Sequence, residues 1–220
     1  MQTSKKMVIF EWGGLLEVVD GTDFNYKHLW SGAFEVATGI VNPDTWGTHL
    51  RDFYDKAILG YNCPAGEEIL VSNLLAEYAD KGGIVKEHAV NEFLNYFEMY
   101  EKCTGSYRPM TWYSYSLKGQ CRLGVMADIT CLDRARITLR LGIDHYDAVY
   151  CSYEHGVSIQ DGGLFDVVEK DSGLTKGNIL LLSNSVPALE HARQHGWNTY
   201  RCNGAEVSEA TAAITAFLLN

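Results

Sequence analysis

The sequence predicts an α/β protein, a doubly wound parallel sheet interrupted by one long α-helical insert. Two observations predict it. Short apolar runs at Met7–Phe10, Cys121–Met126, Tyr146–Cys151 and Asn178–Leu182, followed by a last, more polar strand at Asn198–Cys202, alternate with helix-like stretches. Continuous apolar runs of this length, spaced by helices, are the mark of strands covered on both faces. Between the first and second runs the pattern is helical instead, over about residues 20 to 100.

The elements follow in order. The first run stops at Glu11 and passes into Trp12-Gly13-Gly14, a Gly-rich loop at a strand's C-terminal edge. The insert is expected to hold helices over 26–37, 45–59, 67–80 and 86–100, broken at Asn42-Pro43, Cys63-Pro64 and Gly82-Gly83. After Pro109 a helix over 111–118 leads into the second strand, which ends at Ala127-Asp128. Helices over 132–141, 163–173, 187–195 and 208–219 separate or follow the remaining strands, and the fourth strand ends at Ser183-Asn184. In such a sheet, ligands sit beyond the C-terminal ends of the strands.

Composition narrows the function. Apolar residues make up 46% and charged residues 21% of 220 positions, which is the balance of a packed globular chain rather than a disordered one. The formal net charge of -10 argues against a nucleic-acid partner, since backbone binding needs clustered Lys and Arg. No run approaches the roughly 18 apolar residues of a membrane span, and Met1 to Lys6 leads into a strand instead of a signal-peptide core. The expected location is cytoplasmic, with no membrane partner. Cys63, Cys103, Cys121, Cys131, Cys151 and Cys202 form no C-x-x-C pair, so free thiols are expected.

Four segments carry a resemblance. Val8 to Leu16 gives an apolar strand, an acid at Glu11 and a glycine turn; Arg122 to Asp128 gives a strand ending in Ala127-Asp128. Leu141 to Asp161 closes on Ile159-Gln160-Asp161, and Ile179 to Ser185 gives a strand ending in Ser183-Asn184-Ser185. Taken in order, with the helical insert after the first, they resemble the haloacid dehalogenase-like (HAD) superfamily, in its dehalogenase and sugar-phosphatase-like branches. The resemblance implies a Rossmann-like core from 1–19 and 101–220 and a helical cap from 20–100. It also implies a nucleophilic Asp at position 11, a hydroxyl at 127, Lys-Pro at 159–160 and an acidic pair at 183–184.

At those places the chain carries Glu11, Ala127, Ile159-Gln160 and Ser183-Asn184. The family's phosphatases attack phosphorus with the Asp, hold the phosphoryl oxygens with the hydroxyl and Lys, and hold Mg with the acids, so the resemblance implies that this chemistry is gone. A phosphate facing Glu11 would meet repulsion with no cation or metal to offset it. No metal and no cofactor is expected. Lys118, Lys170 and Lys176 are the other cations considered, and none falls at a strand end.

Two functions stay open. One is a non-phosphatase pseudoenzyme with a ligand-binding or regulatory role, taking a small molecule in the cap/core cleft framed by Trp12, Gly13, Gly14, Ala127, Asp161, Ser183 and Asn184. The other is a metal-independent enzyme using Glu11, because the family's dehalogenases need no metal and carry Ser and Asn in the last motif. Asp128 would share the acid/base work if the two carboxylates sit side by side with their pKa values pushed apart; otherwise Asp128 caps the next helix near Cys131. A homo-oligomer stays open.

Three further features read plainly. Asp20-Gly21-Thr22-Asp23 is expected to be a turn and helix start. His191 and His195, spaced i, i+4, are expected on a solvated helix face without a third partner. The aromatics Phe24, Tyr26, Trp30, Phe34, Trp46, Phe53 and Tyr54 are expected to pack the cap, and Trp112, Tyr113 and Tyr115 to pack the helix before the second strand.

Overall fold

The computed structural model describes residues 6–16, 18–19, 26–103, 106–107, 109–134 and 145–220. The expected turn at Asp20–Asp23 and the expected helix beyond residue 134 lie outside them.

Five parallel strands form the sheet: β1 (Met7–Glu11), β4 (Arg122–Ala127), β5 (Ala148–Cys151), β6 (Ile179–Ser183) and β7 (Asn198–Arg201), in the order β5-β4-β1-β6-β7. β1 is central. Its apolar run divides by the two-residue period of a strand, with Val8 and Phe10 packing into one hydrophobic cluster and Met7 and Ile9 into another. Leu180 and Leu182 join the first cluster, Ile179 and Leu181 the second. Both faces are therefore core, which is why the strands read as unbroken apolar runs. Where β4 passes β1, Gly124 leaves room that a Cβ would fill, 2.6 Å from Met7 Cε.

Helices α8 (Gly163–Ser172) and α9 (Val186–Gln194) supply Phe165, Val168 and Leu189 to one face; α5 (Pro109–Ser116) and α10 (Val207–Leu219) supply Met110, Ile214 and Phe217 to the other. The start of α9 is fixed locally: Ser185 accepts from Ala188 N at 3.4 Å and Pro187 lies in the first turn. Of the second aromatic group, Tyr113 and Tyr115 pack against the core, whereas Trp112 is 64% exposed.

The insert is helical and has its own core. It comprises α1 (Tyr26–Thr38), a π-helical turn Trp46–Leu50, α2 (Arg51–Ala57), a 3-10 turn Cys63–Ala65, α3 (Glu67–Asp80) and α4 (Ala89–Cys103). Trp30 sits at its centre, meeting Phe93, Phe97 and Tyr54 edge-on at centroid distances of 5.6, 5.7 and 5.3 Å. The expected single helix over 45–59 is instead a π turn running into α2. The backbone N–H of Gly47 is taken by Asp44 Oδ1 at 2.9 Å, so an aspartate sets the start of the turn. At the junction, β2 (Val18–Val19) pairs antiparallel with β3 (Ser106–Tyr107).

The sheet also reaches into the helical insert. After β4, helical residues 131–134 (α6) carry Leu132 into the cap's hydrophobic cluster. Beside it Asp133 is fully buried and accepts from Trp30 Nε1 (3.3 Å) and Tyr54 Oη (3.4 Å), both on the cap. Thr130 adds its N–H (3.0 Å) and Oγ1 (2.8 Å) and accepts Asp133 N in return (3.3 Å), a reciprocal helix cap. No helix among the described residues is long and apolar enough to cross a membrane. Cys63, Cys121, Cys131, Cys151 and Cys202 are free thiols.

Replacing Asp133 with Ala would leave the Trp30 and Tyr54 donors buried without their acceptor, so urea denaturation is expected to show a loss of about 2–4 kcal/mol.

Candidate active site

The parallel register brings three strand ends together. Glu11 lies opposite Met126, and Phe10 opposite Leu182, so Ala127-Asp128 and Ser183-Asn184 flank Glu11 on either side. The loop that follows is held by Trp12 N donating to Met126 O (2.9 Å) and by Gly204 N donating to Gly14 O (3.2 Å). Gly14 has φ of +70°, and a Cβ there would fall 2.3 Å from Asn184 Nδ2. Only glycine fits beside Asn184. Gly13 is exposed and faces open space.

Glu11 is half-buried, and the buried Ser183 Oγ donates to its Oε2. Burial pushes the Glu11 carboxyl up to about 7; the Ser183 hydrogen bond pulls against this and the Asp128 charge adds to it. Asp128 is raised to about 6, again chiefly by burial, with backbone N–H groups lowering it. The Asp128 charge thus acts on Glu11, while the charge acting on Asp128 is that of Asp161, and both carboxyls are raised rather than driven apart. Ser183 also accepts Ser185 N (2.8 Å), which ties the end of β6 to the start of α9.

Asp128 does not cap the next helix. Its Oδ1 accepts Ile159 N at 2.8 Å and its Oδ2 accepts Gln160 N at 3.3 Å, so it braces the loop from Val157 to Asp161 against the end of β4. The cap is Thr130 with Asp133. The pattern Thr130-x-x-Asp133 was legible in the sequence as a capping signature; its cap-spanning partners Trp30 and Tyr54 were not.

Ile159 stands where the resemblance places a cation, and its side chain is 2% exposed, packed with Phe165, Leu164 and Met126. Asp161 is exposed and turned to its own loop, its Oδ1 accepting Ser158 N (3.1 Å) and Gly163 N (2.8 Å). It organises the start of α8 and lies outside the Glu11 hydrogen-bonded group. Ala127 is buried beside Cys151, and Trp12 packs into the core cluster of Phe10 and Leu16. Lys118 bridges to Cys121 before β4 begins, and Lys176 lies in the turn Lys176–Asn178 before β6, both at the opposite edge of the sheet from Glu11.

The two histidines are not a solvated face. His191 Nε2 bonds Gln160 O at 3.1 Å, and His195 stacks on Phe165 at 5.3 Å with its Nδ1 3.1 Å from Glu169 Oε1. Asp166, Glu169 and His195 come together on the outer side of α8 and α9. Glu169 is already engaged by Trp197 Nε1 (2.9 Å) and Lys176 Nζ (3.5 Å), which hold its carboxyl below the usual range against the cost of burial.

No family model matches the sequence, and no curated protein matches it. Solved structures do. A HAD family enzyme from Bacteroides thetaiotaomicron superposes with a TM-score of 0.68 at 14% identity, covering 93% of this chain and 96% of its own. The same enzyme has been crystallised with magnesium and inorganic phosphate, where the TM-score is 0.63 over 91% of this chain and 96% of its own. A predicted HAD-like family hydrolase from Porphyromonas gingivalis gives 0.62 at 19% identity over 98% of both chains. The L-2-haloacid dehalogenase of Xanthobacter autotrophicus with chloropropionic acid covalently bound gives 0.54 at 15% identity, over 96% of this chain and 86% of its own. The fold is that of the HAD enzymes, along nearly the whole chain.

Folded Glu11 keeps its proton up to about pH 7, whereas the unfolded chain releases it near 4.5. Stability should therefore fall as pH rises through that window, by up to about 3 kcal/mol. Denaturation of wild type and Glu11→Gln between pH 4.5 and 8 checks this: the variant should lack that part of the slope.

Proposed function

We propose that the chain is a HAD-fold, non-phosphatase protein that uses the Glu11 edge of the sheet to hold a small, neutral or cationic ligand. The observation that carries this is that the chain position where the resemblance places a phosphate-binding cation holds Ile159, whose side chain is buried in the core and offers no charge. Ser183 and Asn184 stand where metal-binding acids would be, and Ser183 is committed to Glu11 and Ser185. An anion entering here would face two carboxyl groups raised by burial, which favours a ligand that accepts or shares a proton over one bearing phosphate. The Asp128 oxygens serve the loop amides of Ile159 and Gln160, which supports a structural over a catalytic part for Asp128.

A second reading is a metal-independent hydrolase or acid/base enzyme. One observation favours it: a Glu11 carboxyl at about 7 has the proton affinity of a general base working near neutrality. The same fold holds covalently bound chloropropionic acid in the Xanthobacter dehalogenase and magnesium with inorganic phosphate in the Bacteroides enzyme, so both kinds of ligand occur among its neighbours.

Purified protein is expected to leave p-nitrophenyl phosphate with Mg and 2-chloropropionate unhydrolysed above background. Halide release from 2-chloropropionate that Glu11→Gln abolishes would establish the second reading, and Mg-dependent release of p-nitrophenol would overturn both.

A further inference from the structure

Cys63 and Cys131 meet across the seam between cap and core. Cys63 opens the 3-10 turn Cys63–Ala65 of the insert, and Cys131 opens α6, directly after the strand that ends beside Glu11. The backbone N–H of Cys131 donates to Cys63 Sγ at 3.4 Å, and the Cys63 thiol donates to Ala57 O at 3.0 Å, which fixes its sulfur against the start of α6. Cys63 is buried and Cys131 half-buried, so the pair is reached from the Cys131 side.

We propose that Cys63 and Cys131 are an oxidisable pair whose disulfide fastens the helical cap to the core. The two residues are 68 positions apart, so the bond would close a long loop that spans the rest of the insert and the return into the sheet. It would lie two residues from Asp133, which already joins the same two bodies through Trp30 and Tyr54. The oxidant is a peroxide. One thiolate attacks the O–O bond and becomes a sulfenic acid while hydroxide leaves and takes up a proton; the second thiolate then displaces hydroxide from that sulfur. Two thiols and one hydrogen peroxide give one disulfide and two waters, the thiols losing two electrons and two protons.

The other described thiols differ in kind. Burial pushes Cys121 up to about 11 and Cys151 and Cys202 up to about 12, and no second sulfur acts on any of them. Cys63 moves the other way, because the Cys131 thiol and N–H both donate to its sulfur; burial and the Asp133 charge oppose them. Cys131 is pushed up by the Cys63 sulfur and by burial, so Cys63 is the more acidic of the two and the one that attacks the peroxide as its thiolate.

The test is peptide mapping of the full chain after treatment with a small molar excess of hydrogen peroxide and alkylation under non-reducing conditions. A cross-linked peptide containing Cys63 and Cys131 is expected as the main product, absent from Cys63→Ser and Cys131→Ser. The oxidised wild type is expected to melt roughly 5–10 °C higher, reversibly with dithiothreitol, and to take up less deuterium over 63–65 and 130–134. Recovery of both cysteines as alkylated thiols or as separate sulfinic acids, or pairing of either with another cysteine, would overturn the pair. Unchanged deuterium uptake with the disulfide formed would overturn its fastening role. The wild-type map alone decides the first point if a serine variant does not fold.

Discussion

A carboxyl group taken out of water must be protonated, hydrogen-bonded or paired, and the ends of β1 and β4 withdraw three described ones, Asp133 fully and Glu11 and Asp128 in part. Glu11, Asp128 and Asp133 follow the first and second strands, and burial is the largest influence on each, driving all three upward. Each is answered by hydrogen bonds: Ser183 for Glu11, the Ile159 and Gln160 amides for Asp128, and Thr130, Trp30 and Tyr54 for Asp133. The fold depends on these answers because they connect the sheet to the loop after β5, to the start of α9 and to the cap. Replacing any one partner leaves a desolvated acid.

The same constraint bears on function. A site that handles phosphate concentrates positive charge against the phosphoryl oxygens. Here the chain position where the resemblance places a cation carries Ile159, whose apolar side chain is turned into the core cluster of Phe165, and the neighbouring strand end offers hydroxyl and amide groups in place of acids. What survives at the centre is a carboxyl group that changes protonation near neutral pH. The proposed ligand-binding role rests on that group, within a fold whose solved neighbours include both a magnesium- and phosphate-bound enzyme and a dehalogenase.

Cap and core are joined by chemistry that neither possesses alone. The four-residue α6 segment supplies Leu132 to the cap's aromatic nest, Asp133 to its donors and Cys131 to its thiol. Trp30 contributes to this seam twice, as the hub of the ring cluster and as a donor to Asp133. The seam thus combines apolar packing, which resists opening at any pH, with a thiol contact that responds to oxidant.

The sequence by itself determined the sheet, the insert and the place of Glu11, because strands covered on both faces leave unbroken apolar runs and a strand's end is marked by the first charge and glycine after it. It placed α3 to the residue, since Cys63-Pro64 before it and Gly82-Gly83 after it punctuate the chain. It could not assign Asp128, whose partners lie 31 and 32 positions away, nor see that Ile159 points into the core rather than the cleft. It read His195 as solvated because Glu169 and Phe165 lie on another helix. Local periodicity records which face of an element is buried, whereas the partner of a polar group is chosen by tertiary contact. The identity of the acid at the sheet's centre was therefore written in the sequence, and its proton affinity, its ties to Ser183 and Asp128, and the thiol pair beside it were decided only by the folding of distant segments against one another.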